Sequence, residues 1–527
     1  MKKKKVLSML LAATMIASLL AGCGSSNGDS NNNSGSKNNA AEGTESGSTG
    51  DGYSKEIDMD EDPYTVAIQL VVLPGVDYSS FETDMENAIN EITEPAINCD
   101  VDIQFETIDK VTSDTSLAVA NDEKVDLLHV ATVTPLSSMV GSDILLDMNE
   151  GSLLQTRGAD LVSLFGSDLL AAGNVDGQQL AVPAKIYNSS AKGIYYNKTL
   201  ADSLGITVPD TMTMDEFGDI LKEVSEKDAD IMPFYVGNGA NNLLYWIDSY
   251  SGFGTNCSYG AILDEQSDTT IENIYETELF KNMCETFYQW RQDGLIQKDS
   301  TDQTSAQDYY NAQQLFASLA DITPQLEANY KANSEANGFE TGFSQMVDPS
   351  ITNASVTEYM WGIAANSERP DKAMDFLNFI YTNADVANIL MYGLEGTNYT
   401  YKEGSDTVIE TNGSYISSFV NCGDTSKMLI QSPNDDTYIE QWENQMKEAA
   451  VSPLLGYMFS DADYQTESAA IGTVIAQYLP MLQNGTFDSE DEMLSYLDEF
   501  NSALKDAGID DVIAANQEQL NEWLASK

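Results

Sequence analysis

The chain has 527 residues, 42% of them hydrophobic, and a formal net charge of −59. Such a charge repels nucleic acid and anionic headgroups, while the length suits two or three domains with a sizeable core. Only three arginines occur, Arg157, Arg291 and Arg369, so few forks exist for a carboxylate or phosphate ligand. The single histidine, His129, excludes His-rich zinc sites and leaves one candidate for a Ser-His-Asp base.

In chain order, Lys2 to Lys5 form a basic start and Val6–Leu20 an apolar run. The run has signal-peptide length and is too short to span a bilayer, which needs roughly 20 apolar residues. It ends Leu20-Ala21-Gly22-Cys23, which resembles the lipobox of bacterial lipoproteins. That resemblance implies a leader over residues 1–22 and a diacylglycerol on the Cys23 sulfur. Residues 24–52 are Gly, Ser, Asn, Asp and Glu with almost nothing apolar, and cannot bury enough surface to fold. As a flexible coil they would span roughly 30 Å. Residues 23–52 therefore read as a lipidated cysteine and tether, holding a soluble body at the outer face of the membrane of a Gram-positive-type bacterium.

Thr65–Val72 reads as the first core strand and Leu73–Ser80, with Pro74 and Gly75, as a loop. The spacing of Phe81, Met85, Ala88, Ile89 and Ile92 predicts a helix that stops before Pro95. Strands are expected over 101–108 and 125–131, with a helix near 115–120 between them. This alternation favours a parallel α/β sheet with loops at the strand ends forming a cleft. His129 falls inside the third strand. Thr213, followed three residues later by Glu216, predicts a capping box opening a helix to about Glu226. Cys99, Cys257, Cys284 and Cys422 allow three pairings in an exported chain, and sequence does not choose among them.

Enzyme motifs fail in context. Gly24-Ser25-Ser26-Asn27-Gly28 matches G-x-S-x-G but lies in the tether, without strand or helix. Asp58, Asp60 and Asp62 start like a calcium loop, yet Pro63 and Gln69 stand where Gly and Glu are needed. Among 84 acidic residues a carboxylate pair is weak support for a glycosidase. No catalytic residue, cofactor or metal is expected.

Several stretches carry a resemblance in order and spacing. They are Gly177-Gln-Gln-Leu-Ala-Val-Pro183, Gly193-Ile-Tyr-Tyr-Asn-Lys198 and Pro209-Asp-Thr-Met-Thr-Met-Asp-Glu-Phe217. Ser367-Glu-Arg-Pro-Asp-Lys-Ala-Met-Asp-Phe-Leu-Asn-Phe-Ile380, Tyr392-Gly-Leu-Glu-Gly-Thr-Asn-Tyr399 and the tail stretches 452–459 and 507–520 follow. Together the chain resembles family 1 extracellular solute-binding lipoproteins of ABC importers, in a carbohydrate-type subgroup with an extra C-terminal region; Met214 replaces the usual Trp. The resemblance implies an α/β, two-lobe, periplasmic-binding-protein-like (type II) fold with crossover hinge strands and a helical C-terminal region. Lobe 1 is expected over 53–183 plus about 350–395, lobe 2 over 184–349, and a region 396–527 packing on both. The implied function is capture of an oligosaccharide between the lobes for an ABC permease, by a monomer.

Sugars suit aromatic plates with amide and carboxylate neighbours. Candidate ligand residues are Trp246 with Asn241 and Tyr245, Trp361 on the return crossover, and Tyr187 and Asn188 at the first crossover. Asp77 and Tyr78 in the first loop, Thr132 after the third strand, and Glu395 in the G-L-E-G turn complete the set. Trp290, Trp442 and Trp523 read as packing. The competing readings are a binder of peptide, amino acid or polyamine, a surface glycosidase, and a ligand-sensing lipoprotein feeding a membrane kinase. Scarce arginine favours neutral glycans over uronates.

Overall fold

Thr65–Val72 does form a strand, and a computed structural model shows what is built around it. The structure describes residues 53–131, 136–140, 143–175, 177–185, 189–236, 251–297, 304–417 and 421–527. The chain divides into two units, one holding residues up to 186 and 356–429, the other 187–355 and 430–527. It therefore passes between them three times. The expected C-terminal region is divided: 396–429 joins the first unit and 430–527 the second.

The principal elements of the first unit begin with β1 (Tyr64–Val72), α1 (Glu82–Ile97), β2 (Cys99–Thr107), α2 (Val111–Ala120), β3 (Leu127–Ala131) and β4 (Val182–Pro183). The second unit supplies β5 (Ser190–Asn197), α3 (Met214–Lys227), β6 (Met232–Tyr235), α4 (Glu278–Gln292), β7 (Leu315–Ile322), α5 (Pro324–Ala336) and β8 (Thr341–Ile351). The chain returns to the first unit for β9 (Tyr359–Ile363), α6 (Pro370–Thr382) and α7 (Ala384–Tyr392). It ends in the second with β10 (Ala450–Val451), α8 (Gln465–Asn484), α9 (Glu490–Asp506) and α10 (Ile509–Ser526).

The first unit's sheet has the order β2-β1-β3-β9-β4. β1, β2 and β3 run parallel, and β9 is antiparallel to both β3 and β4. Alternate residues Val66, Ile68, Leu70 and Val72 enter one core with Met85 and Ile89 of α1 and Phe376, Leu377 and Ile380 of α6. The edge strand β2 is not left open: its Val101 and Ile103 amides donate to Asn90 Oδ1 (2.9 Å) and Glu86 Oε1 (3.0 Å) of α1. α1 runs through Pro95 rather than stopping before it. Proline costs the helix one N–H, and in the last turn that loss is small. Thr93 Oγ1 ties this turn to Ile89 O (3.1 Å) and Cys99 O (2.7 Å), and left-handed Asn98 closes the helix by donating to Glu94 O.

A charge network clamps the segment before β1. Arg369 donates to both oxygens of Glu61 (3.1 and 3.2 Å) and to Asp371, while fully buried Lys372 lies 3.0 Å from Glu61. Asn98 Nδ2 donates to the Asp58 and Glu61 carbonyls. Arg157 pairs with buried Asp375 at 3.0 Å.

The second unit's sheet has the order β10-β8-β5-β7-β6. Its G-I-Y-Y-N-K motif has physical reasons. A Cβ on Gly193 would strike the Ser344 carbonyl of β8, so the strands approach this closely only with glycine. Asn197 accepts from Leu200 N (2.9 Å) and caps the helix that follows. The capping box of α3 forms: Thr213 N donates to Glu216 Oε2 (2.8 Å) and Glu216 N to Thr213 Oγ1 (3.3 Å). α8, α9 and α10 join the core of α3 and α4, with Tyr478 stacked on Phe500 and Tyr457 donating to Asn516. The four cysteines of the body are free and buried, and burial pushes the Cys99 and Cys257 thiols up to about 12.

Glu61→Gln leaves buried Lys372 without its carboxylate. The expected result is a loss of about 2 kcal/mol in the first unit, below the 3–5 kcal/mol of a fully buried pair because Glu61 is partly exposed; urea unfolding followed by hydrogen exchange of first-unit amides checks it. Arg369 holds the Glu61 carboxyl below its usual range. Its contribution is thus present above the unfolded carboxylate pKa and lost as pH falls through the lower folded one.

Candidate functional site

Parallel strands present their loops for ligands at their carboxyl ends. In the first unit Val72, Thr107 and Ala131 all end on one side. The loop after β1 exposes Asp77, which accepts from Ser79 Oγ (2.7 Å). Tyr78 turns inward instead. Its hydroxyl donates to Leu73 O (2.8 Å) and Ile416 O (3.2 Å), and its ring packs among Phe81, Phe105 and Tyr415. Of this expected pair, Asp77 is presented and Tyr78 holds the loop down.

Trp361 is fully buried, contrary to the expectation that it faces a ligand. β9 is an interior strand between β3 and β4, and the Trp361 face of that strand is covered by the first-unit core. The indole N–H donates to Cys422 O (3.0 Å), and the ring lies 3.8 Å from that of His129. Burial pushes the His129 imidazole down to about 3, with the Gln69 backbone and the Asn421 amide offsetting part of that effect. His129 is therefore a neutral packing partner of Trp361. Glu395 is exposed, and Asn398 organises its turn by accepting from Leu394 N (2.8 Å) and donating to Ser414 Oγ (3.1 Å). Thr132, Tyr187, Asn188, Asn241, Tyr245 and Trp246 lie outside the described residues.

One aromatic was missed by the sequence reading. Tyr359 opens β9 opposite Ala131 and, partly buried, packs with Val71 and Val111 at the carboxyl end of the sheet. No local pattern marked it, because period two puts it on the face of Trp361, which the core covers.

In the second unit, β6 ends at Tyr235, whose hydroxyl donates to Thr304 O (3.0 Å) and whose carbonyl accepts from Ser318 Oγ. Val236 N donates to buried Gln297 Oε1 (2.9 Å). Trp290 and Trp442 are buried, and Trp523 packs on Tyr457, as expected of packing residues. All three arginines are engaged within their own units. Arg157 and Arg369 serve carboxylates, and Arg291 Nη1 donates to the Gln297 and Asn484 carbonyls. Among the described residues no cluster of three or more His, Cys, Asp or Glu could hold a metal, and no helix is long and apolar enough to cross a membrane.

Residues 84–387 match the family profile described as bacterial extracellular solute-binding protein, and 453–525 match a domain of unknown function, DUF3502. A carbohydrate ABC transporter substrate-binding protein of Streptococcus pneumoniae is 24% identical over 83% of this chain and 87% of its own length. The crystal structure of the N-glycan transport solute binding protein NgtS from Streptococcus pneumoniae has a TM-score of 0.73 at 23% identity, covering 88% of this chain and 99% of that one. An HMO-binding, ABC-transporter-associated solute binding protein from Bifidobacterium longum infantis gives 0.61 at 13% identity, covering 87% and 99%. These likenesses show the two-lobe solute-binding fold.

Trp361→Ala should cost about 3–5 kcal/mol, the range for emptying a buried aromatic site, and lower the unfolding midpoint of the first unit. A purely ligand-facing tryptophan would leave that midpoint in place. His129 adds a pH dependence. Its folded pKa lies below the ordinary 6.5, so the unfolded state takes the proton first, and stability falls as pH drops from 6.5 toward about 3. His129→Phe should flatten that part of the stability–pH curve measured by urea unfolding.

Proposed function

The chain belongs to the bacterial extracellular solute-binding protein family, and we propose that this member captures a neutral oligosaccharide and hands it to an ABC permease. It works as a binder, with no catalytic step. Its relatives' names support the carbohydrate class: a carbohydrate substrate-binding protein, and NgtS in complex with Man5GlcNAc and with Man1GlcNAc.

The observation that carries neutrality is the placement of the arginines. Each is committed to an internal carboxylate or carbonyl. Recognition of a uronate or phosphate through an arginine fork would have to break one of those contacts. A neutral glycan instead uses hydroxyl-to-carboxylate and amide bonds with aromatic plates. Asp77, Tyr359 and the tryptophan of the 241–250 segment, Trp246, are the side chains assigned to it, with Asn241, Tyr245, Tyr187, Asn188, Thr132 and Glu395 as further candidates. Cys23 carries the lipid, and residues 24–52 give the body its reach from the outer membrane face.

Thermal unfolding of residues 53–527 with neutral oligosaccharides, uronates and polyamines tests the reading. A neutral oligosaccharide at about 100 times its Kd should add about 2.7 kcal/mol and raise the midpoint, with uronates and polyamines inert. A shift with polyamines or uronates alone would overturn it.

A further inference from the structure

Neither family profile covers residues 388–452, yet part of this interval is built into the ligand end of the first unit. Its return segment has two described stretches, Tyr415–Ser417 and Asn421–Thr425. It starts beside β1: Leu73 N donates to Ile416 O (3.3 Å), and Val72 bridges Ser417. β1 meets β3 at Ile68, three residues before Val71. At Val71 a side chain takes the place of a strand. Asn421 Oδ1 accepts from Val71 N (2.9 Å), and Asn421 Nδ2 donates to Val71 O (2.8 Å). Asn421 is fully buried and is held by Ser417 Oγ, which accepts from its Nδ2 at 2.7 Å. The segment then meets β9 through the Trp361 indole on Cys422 O. It ends against Lys185, the last described residue before the first passage to the other unit. Lys185 N donates to Gly423 O (2.8 Å), Thr425 N donates to Lys185 O (3.0 Å), and Lys185 Nζ pairs with Asp424 (3.1 Å). A Cβ on Gly423 would collide with Ile380 of α6, so this path also requires glycine.

The geometry points to Asn421 as a positioning residue for ligand recognition: by standing in for a missing strand at Val71 it fixes the loop 73–80, and hence Asp77, for a neutral oligosaccharide. This rests on the functional reading above. A loop held by a rigid support binds without first being ordered, so loosening the support weakens binding although no ligand contact is removed. Selectivity is then set partly by an interval outside the family profiles.

The test uses the chain lacking only its leader, in three forms: wild type, Ser417→Ala and Asn421→Leu. Ser417→Ala removes one bond to the Asn421 amide without emptying a buried site, so it reports even if Asn421→Leu folds poorly. Hydrogen exchange is read at Val71 and over 73–80 with the second unit as the reference. Calorimetric titration uses whichever neutral oligosaccharide from the panel binds wild type. Faster exchange at Val71 and over 73–80, with the second unit unchanged, and a Kd raised about tenfold in Asn421→Leu, less in Ser417→Ala, are expected. A merely structural role would lower the bound stoichiometry and leave Kd in place. Unchanged exchange, or faster exchange with an unchanged Kd, overturns the inference while the functional reading stands. Failure of wild type to bind any neutral oligosaccharide overturns that reading, and this inference with it.

Discussion

By the time β1 reaches Val71 it has a strand on one side, β2, and needs a partner on the other. Unpaired backbone N–H and C=O groups in a buried strand each cost about 1–3 kcal/mol. The Asn421 amide supplies one donor and one acceptor in the right order, from a residue 350 positions away. Much of the carboxyl end of the first unit's sheet follows from that pairing. The loop after β1 is held against Ile416, Tyr78 is pulled inward by the same carbonyl, and Trp361 finds its acceptor at Cys422. His129 is buried beside Trp361, and that burial keeps it neutral.

Charge is used with similar economy. The chain carries 84 acidic residues against 25 basic ones, and it commits its arginines to structure. Two of the three lie in the network that fixes the segment before β1, where Glu61, Asp371 and Asp375 face Arg157, Arg369 and Lys372. The third ties α4 to the C-terminal residue of α8 through the Asn484 carbonyl. Cations placed this way stabilise each unit and leave the remaining surface strongly negative. Such a surface repels anionic solutes.

Local patterns were readable where local physics decides. β1 showed in its apolar run, and the capping box in Thr213 and Glu216. The order of such motifs pointed to the two-lobe fold. What sequence could not supply were decisions made at long range. Trp361 looks ligand-facing by its place on a return strand, but burial depends on which strands flank β9 and on the core over it. Pro95 looks like a helix end, but Thr93 and Asn98 secure the last turn. The return segment has no periodicity at all, because it works through one amide and a series of carbonyls. Its C-terminal neighbour divides at residue 429 between the units, a boundary that composition does not mark.

The central claim is that this member binds a neutral oligosaccharide. Calorimetric titration of residues 53–527 with a neutral oligosaccharide and with a uronate tests this most directly. The account predicts saturable binding of the neutral oligosaccharide and none of the uronate. Binding of the uronate with neutral oligosaccharides inert would contradict it.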